Sequence, residues 1–189
     1  LEYCMETECP FNPDDCPIGT TYINFYPGVD DDEMNEKKCI PDEFSDVITS
    51  IAKAFYYFDL VEMNGQSVDE DDWVGAFNGD ICVGARKWDT SLCNSEKCDV
   101  PVLGDDGFEG SEGYMQPGDI PTFKIFDASS GEYYDAVING DITDNDGNVV
   151  SGAWSNLSFY NVVLLEVGYT ELTIGSNEGG FDGIDFNSN

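Results

Sequence analysis

Asp69–Trp88 reads DEDDWVGAFNGDICVGARKW. Four consecutive acids lead into two short apolar runs, Trp73–Phe77 and Ile81–Ala85, joined by Asn78-Gly79-Asp80. Asn-Gly or Gly-Asp between two apolar runs is a strong hairpin signal, because the tight turns that match strand twist need positive φ at their centre. In the first run Trp73, Gly75 and Phe77 share one face, and Val74 and Ala76 the other. The stretch predicts a β-hairpin with an acidic mouth, and the chain around it reads as what packs on that hairpin.

Downstream, PTFKIFD (Pro121–Asp127) and EYYDAVI (Glu132–Ile138) flank Ala128–Gly131 and predict a second hairpin. Ala54–Met63 and Ser158–Val167 are rich in aromatic and branched residues on both parities, so each is expected to be a central strand covered on both faces. Asn64-Gly65 marks a turn, and Thr20–Tyr26 reads as a short strand. Over Asp42–Ala54 the spacing of Phe44, Val47, Ile48 and Ile51 predicts a short helix or an irregular lead-in. Seven or more short strands with turns about every ten residues, and almost no helix, predict an all-β sandwich. Tyr169–Ile174 alternates, and a Gly-, Asn- and Asp-rich tail follows.

The chain has 189 residues, enough for one sizeable domain or a domain with an arm, and its 41% hydrophobic content supports a core. Its charge is extreme: 39 acids against 7 bases, net −32. Such a field repels nucleic acid and anionic membranes, and it strains the compact state unless cations offset it. No histidine is present, which removes His-based triads, His general bases and nearly all catalytic zinc sites. No apolar run approaches a membrane span. Leu1-Glu2 begins with neither a basic nor an apolar region, so the expectation is a mature, processed chain.

Seven cysteines point outside the cytosol. Cys93 and Cys98 flank a four-residue segment and are expected to close a small loop; Cys82, inside the hairpin, is expected to be a buried thiol. Four N-terminal cysteines allow three pairings, of which Cys16–Cys39 with Cys4–Cys9 is preferred. Residues 1–9, LEYCMETEC, alternate like a strand with Leu1, Tyr3 and Met5 on one face, and Pro10, Pro13 and Pro17 then interrupt any ladder. The reading divides the chain into a strand with a Cys/Pro-rich tether (1–17) and a β-sandwich domain (18–189). The strand is either an ordinary edge strand of its own domain or one offered to another subunit's sheet.

The candidate chemistry lies in acid clusters. Asp105, Asp106, Glu109 and Glu112 sit among Gly104, Gly107, Gly110 and Gly113, and Asp144-Asn145-Asp146-Gly147-Asn148 resembles half of a calcium loop without the downstream Glu of an EF-hand. Hard oxygen donors favour calcium, the expected cofactor; a simple Asn/Asp/Gly turn is the competing reading. Asp69, Asp71, Asp72 and Asp119 are further candidates. Paired carboxylates also serve glycoside hydrolysis, but among 39 acids such a pair carries no specificity, so no enzyme is expected. Asn156-Leu157-Ser158 matches a glycosylation acceptor.

Residues 52–138 resemble a β-sandwich module of secreted proteins from environmental microbes. The motifs are DDWVGAFNGDICVGARKW, then GDDG, then GYMQPGDIPTFKIFD, with FYYFDL (Phe55–Leu60) similar to that module's leading strand. More narrowly, the chain resembles subunits of pilus-like extracellular fibrils recovered from freshwater, in which an N-terminal strand completes an immunoglobulin-like sandwich in another subunit. The resemblance implies a subunit of a cell-surface helical fibre, partnered by copies of itself, with Leu1, Tyr3 and Met5 as the inserting face. The alternative is a monomeric calcium-dependent adhesion or carbohydrate-binding module that engages surface glycans.

Overall fold

The computed structural model describes residues 16–23, 38–93 and 97–168. They form eleven strands: β1 (Thr20–Ile23), β2 (Lys38–Pro41), β3 (Lys53–Met63), β4 (Gln66–Ser67), β5 (Trp73–Asn78), β6 (Ile81–Lys87), β7 (Asp99–Leu103), β8 (Thr122–Asp127), β9 (Glu132–Thr143), β10 (Val149–Val150) and β11 (Phe159–Val167). Single 3-10 turns at Asp42–Phe44 and Thr90–Leu92 are the helical elements among these residues, so the lead-in to β3 is irregular rather than a helix.

β1 and β2 form a small antiparallel sheet, and Cys16 is bonded to Cys39 beside it. The other nine strands belong to one sheet in the order β4-β3-β11-β9-β8-β5-β6, with β7 also on β3 and β10 also on β9. That sheet curls until β6 packs on β7, so the two layers of this all-β, sandwich-like fold are halves of one continuous sheet. The hairpins form where turn chemistry places them. Asn78 pairs with Ile81 across Gly79-Asp80, and only Gly79 takes positive φ (+61°), as a type II′ turn requires. Asn64 and Gly65 both take positive φ (+56° and +74°) between Met63 and Gln66, the type I′ pattern.

The core is one cluster inside the curl. Tyr56, Phe58, Val74, Val83, Val100, Val102, Ile125, Phe126, Val162 and Leu165 are all essentially inaccessible. Two polar side chains reaching into it are partnered: the Tyr56 hydroxyl donates to the Gly152 carbonyl at 2.7 Å, and Trp154 Nε1 donates to the Val102 carbonyl at 2.9 Å.

The expected two-sided burial of the long strands is corrected. In β3, Ala54, Tyr56, Phe58 and Val61 face inward, while Phe55 and Tyr57 are only half covered and Leu60 is exposed. In β11, Tyr160, Val162 and Leu165 face inward, while Phe159 and Val163 are exposed. Both strands are central in hydrogen bonding, each with neighbours on both edges, but no second layer covers their outer faces among the described residues. By contrast, Trp73–Phe77 of β5 is buried throughout, because Phe44 lies across its other face, with ring atoms 2.5 Å from where a Gly75 Cβ would stand.

Candidate functional site

The expected inserting residues Leu1, Tyr3 and Met5, and the Cys4–Cys9 pair, lie outside the described residues. What the structure describes is the sheet that such a strand would meet, and its edges decide where a strand can add.

The seam between β6 and β7 has no room for one. No ladder joins the two strands, yet a Cβ built on Gly84 would stand 1.8 Å from the Pro101 carbonyl oxygen. A strand between them would need about 4.8 Å on each side. Arg86 bridges the seam, donating from Nε to the Asp99 carbonyl and from Nη2 to Asp99 Oδ1 at 3.1 Å. Asp99 Oδ2 is buried with no hydrogen-bond partner among the described residues.

β9 offers an interrupted edge. One side pairs with β11 from Ala136 to Thr143. The opposite side pairs with β8 from Glu132 to Ala136 and with β10 at Ile142 and Thr143. Between them, Val137–Asp141 has no strand partner on that side among the described residues. Val137 is 55% exposed there.

The acidic loops turn their carboxylates onto nearby backbone amides. Asp105 Oδ1 accepts from the Gly107 N–H and Oδ2 from Gln116 Nε2. Asp106 Oδ2 accepts from the Ile51 N–H, and Oδ1 from the Phe108 N–H and the Ser111 hydroxyl. The Ile51 and Phe108 amides hold the Asp106 carboxyl down at about 2, below the usual carboxylate range. Glu112 accepts from the Gly110 N–H, and Glu109 is exposed. Gly107 and Gly110 take positive φ (+80° and +100°), so the backbone turns its amides toward the acids. In the second loop Asp144 Oδ1 accepts from the Asp146 and Asn148 amides, and the Asn148 side chain, with those amides, holds its carboxyl low.

Thus Asp105, Asp106, Glu109 and Glu112 share one loop, and Asp144 and Asp146 share another. Among the described residues no three metal-ligating side chains converge. Most of these carboxylates accept amide hydrogen bonds that close their own turns, an arrangement open to a cation-free turn and, through the remaining lone pairs, to a hard cation such as calcium. Asp69–Asp72 and Asp119 do not join them. Asp72, buried beside the hairpin, accepts from the Asp69 and Ala128 amides, and its carboxyl is pushed up by burial despite those bonds. Asp119 closes its own turn onto the Gln116 N–H. A groove of about 370 Å³ beside the second loop is lined by Asp144, Asp146, Val150, Gly152, Leu157 and Phe159. Asn156 Oδ1 accepts from the Lys53 N–H.

The cysteines of the domain are resolved into roles. Cys93 is bonded to Cys98. Cys82 is a buried free thiol, pushed up to about 12 by that burial. Among the described residues no helix is long and apolar enough to cross a membrane.

Sequence reading missed the β9 edge and the closed seam. Both depend on which strands pair at long range, and local patterns carry no such signal. Compared with known proteins, the chain matches no family model, no curated protein and no solved structure.

Proposed function

We propose that this chain is a structural, non-catalytic subunit of an extracellular helical fibre, polymerising when the N-terminal strand of one copy adds to the sheet of another. The observation that carries the reading is the interrupted edge of β9: a long strand paired at both ends and open over Val137–Asp141. An incoming strand gains ladder hydrogen bonds there, and the alternating Leu1, Tyr3 and Met5 supply apolar side chains worth about 1.5–3 kcal/mol each when fully buried. The two disulfides among the described residues support an oxidising, extracytoplasmic setting, in keeping with a surface appendage.

The charge argument for calcium stands apart from the geometry of either loop. A net charge of −32 per copy opposes dense packing. The proposal therefore places divalent cations at the acidic loops or at contacts between copies, where carboxylates of two chains meet.

Deleting residues 1–9 tests the strand. Negative-stain imaging and size-exclusion chromatography are expected to show fibres from the intact chain and folded monomers from the shortened one. Fibres from the shortened chain would remove the strand from the mechanism. A folded, monomeric intact chain that binds glycans on an array would favour the adhesion or carbohydrate-binding alternative. Chelator titration tests the cations: assembly should weaken as calcium is withdrawn and return when it is restored, and indifference to chelator would remove them.

A further inference from the structure

On the outer face of the sheet, side chains from three neighbouring segments meet at one amine. Asp59 stands on β3, two residues beyond Tyr57. Asn161 stands on β11, opposite Tyr57 in the parallel register. The period of two puts all three residues on the same face. Lys97 comes just before β7, on the other flank of β3: Tyr57 pairs with Asp99, and the Phe58 N–H donates to the Cys98 carbonyl at 3.0 Å. Its side chain lies across β3 toward β11. Nζ contacts Asp59 Oδ1 at 2.5 Å and donates to Asn161 Oδ1 at 3.2 Å.

An ion pair needs only the carboxylate. Lys87 pairs with Asp71, and Lys124 with Glu43, without a carboxamide. Among the described residues Lys97 is the lysine whose amine meets a carboxylate and a carboxamide together. Both reacting groups are held in place. Cys98, next to Lys97, is buried and bonded to Cys93. Asn161 Nδ2 donates to the Asp144 carbonyl at 3.5 Å, so the amide turns its oxygen toward the amine and its nitrogen away. The amide carbon is one bond from that oxygen, which puts it near the separation of about 3–3.5 Å from which a nucleophile attacks.

We propose that Lys97 and Asn161 join through an intramolecular isopeptide bond, with Asp59 carrying the proton. Asp59 takes one proton from the Lys97 ammonium, and the freed Nζ lone pair attacks Asn161 Cγ. A second proton passes from Nζ to Nδ2. The Cγ–Nδ2 bond breaks, and its electron pair leaves on ammonia, which takes the proton held by Asp59. An ammonium side chain and a carboxamide thus become a secondary amide and an ammonium ion. Atoms and charge balance, nothing is oxidised or reduced, and no co-reactant enters.

The bond ties the lead-in of β7 to β11 across β3 and closes a loop between residues 64 positions apart. Such a cross-link restricts the unfolded chain as a disulfide does, and reductants do not open it. It forms within one chain, so it stands or falls separately from the N-terminal strand and from assembly.

The test is mass spectrometry of the folded full chain after complete reduction of its disulfides. The mass is expected about 17 Da below that of the sequence, the loss of one ammonia. Trypsin, which does not cut after an acylated lysine, should release a branched peptide joining the segments around Lys97 and Asn161. Lys97→Arg keeps the charge and removes the nucleophile, and Asn161→Ala removes the acceptor; both should show the full sequence mass. Asp59→Asn keeps both reacting groups and should slow closure by about 100-fold or more, read as the fraction closed in samples taken at intervals after production. A folded full chain at its sequence mass, cut by trypsin at Lys97, would overturn the proposal, and that reading needs no variant to fold. The same mass loss in Lys97→Arg would place the chemistry elsewhere and overturn it as well. Closure at an unchanged rate in Asp59→Asn would overturn the role given to Asp59.

Discussion

Replacing Gly84 by Ala adds one methyl at the point where the sheet closes on itself. That carbon would stand 1.8 Å from the Pro101 carbonyl oxygen and 2.9 Å from its carbon. A carbon and a carbonyl oxygen approach to about 3.3 Å at best, so β6 and β7 must move apart by roughly 1.5 Å. Both clashing partners are backbone, and no side-chain rotation relieves them. Beneath the seam lie Val83, Ala85, Val100 and Val102, all buried. A gap of even 0.5–1 Å already forfeits about a quarter to a half of such contact energy. The move also strains the Arg86 bonds to Asp99. Overpacking of this kind costs about 1–3 kcal/mol and occasionally more, and the φ of +157° at Gly84 adds a further cost for a residue with a Cβ. The expected total is about 3–5 kcal/mol, read by equilibrium urea unfolding. For a chain of this size that lowers Tm by roughly 6–20 °C. Gly79→Ala is the control: its φ is +61°, but nothing lies within 4 Å of the new carbon, so it isolates the conformational cost at about 1–2 kcal/mol. If Gly84→Ala is no worse than Gly79→Ala, the sheet is not closed at this seam.

Three further outcomes are expected. Tyr56→Phe leaves the Gly152 carbonyl without its 2.7 Å donor and should cost about 1–3 kcal/mol in denaturant unfolding, with the fold unchanged by circular dichroism. Replacing Cys16 and Cys39 by Ser frees a loop with a sequence separation of 23 and should lower stability by roughly 3 kcal/mol, with β1 and β2 becoming the first segment to lose hydrogen-exchange protection. Asp106 titrates near 2 in the folded chain and near its ordinary value when unfolded, so its contribution is present above pH ~4 and lost as pH falls through about 2; Asp106→Asn should flatten that part of an acid-unfolding curve, and an unchanged curve would show that the Ile51 and Phe108 amides do not hold the carboxylate.

Local structure was legible wherever a turn has a chemical signature. Asn64-Gly65 makes the expected turn, though onto a short strand not foreseen, and Asn78-Gly79-Asp80 and Ala128–Gly131 each join the two strands that their sequences imply. Strand positions followed, because aromatic and branched runs have few other conformations that suit them. Phe55, Tyr57, Phe159 and Val163 were recognised as apolar but assigned to a buried face. Residue type reports a preference for cover and says nothing of whether the cover belongs to the same sheet. The acid loops show the same limit: an alternation of Asp, Asn and Gly serves a metal and a hydrogen-bonded turn equally well. The long-range member of the network had no sequence signal: the Ile51 amide is remote in sequence from Asp106, whose carboxylate it caps.

The parallel pairing of β3 with β11 sets the order of events when the chain folds. Phe55 lies opposite Phe159 and Met63 opposite Val167, partners more than 100 positions apart. The centre of the sheet therefore forms only after a long loop has closed, and closing it yields nothing until both strands meet. Hairpins such as β5–β6 and β8–β9 can form early, but β3 has no partner across its inner edge until the last described strand has been made. A chain emerging in N-to-C order thus holds Tyr56, Phe58 and Val61 without their β11 neighbours until that strand has been made. Folding is slow by topology, and the centre of the described sheet is completed only when β11 docks between β3 and β9.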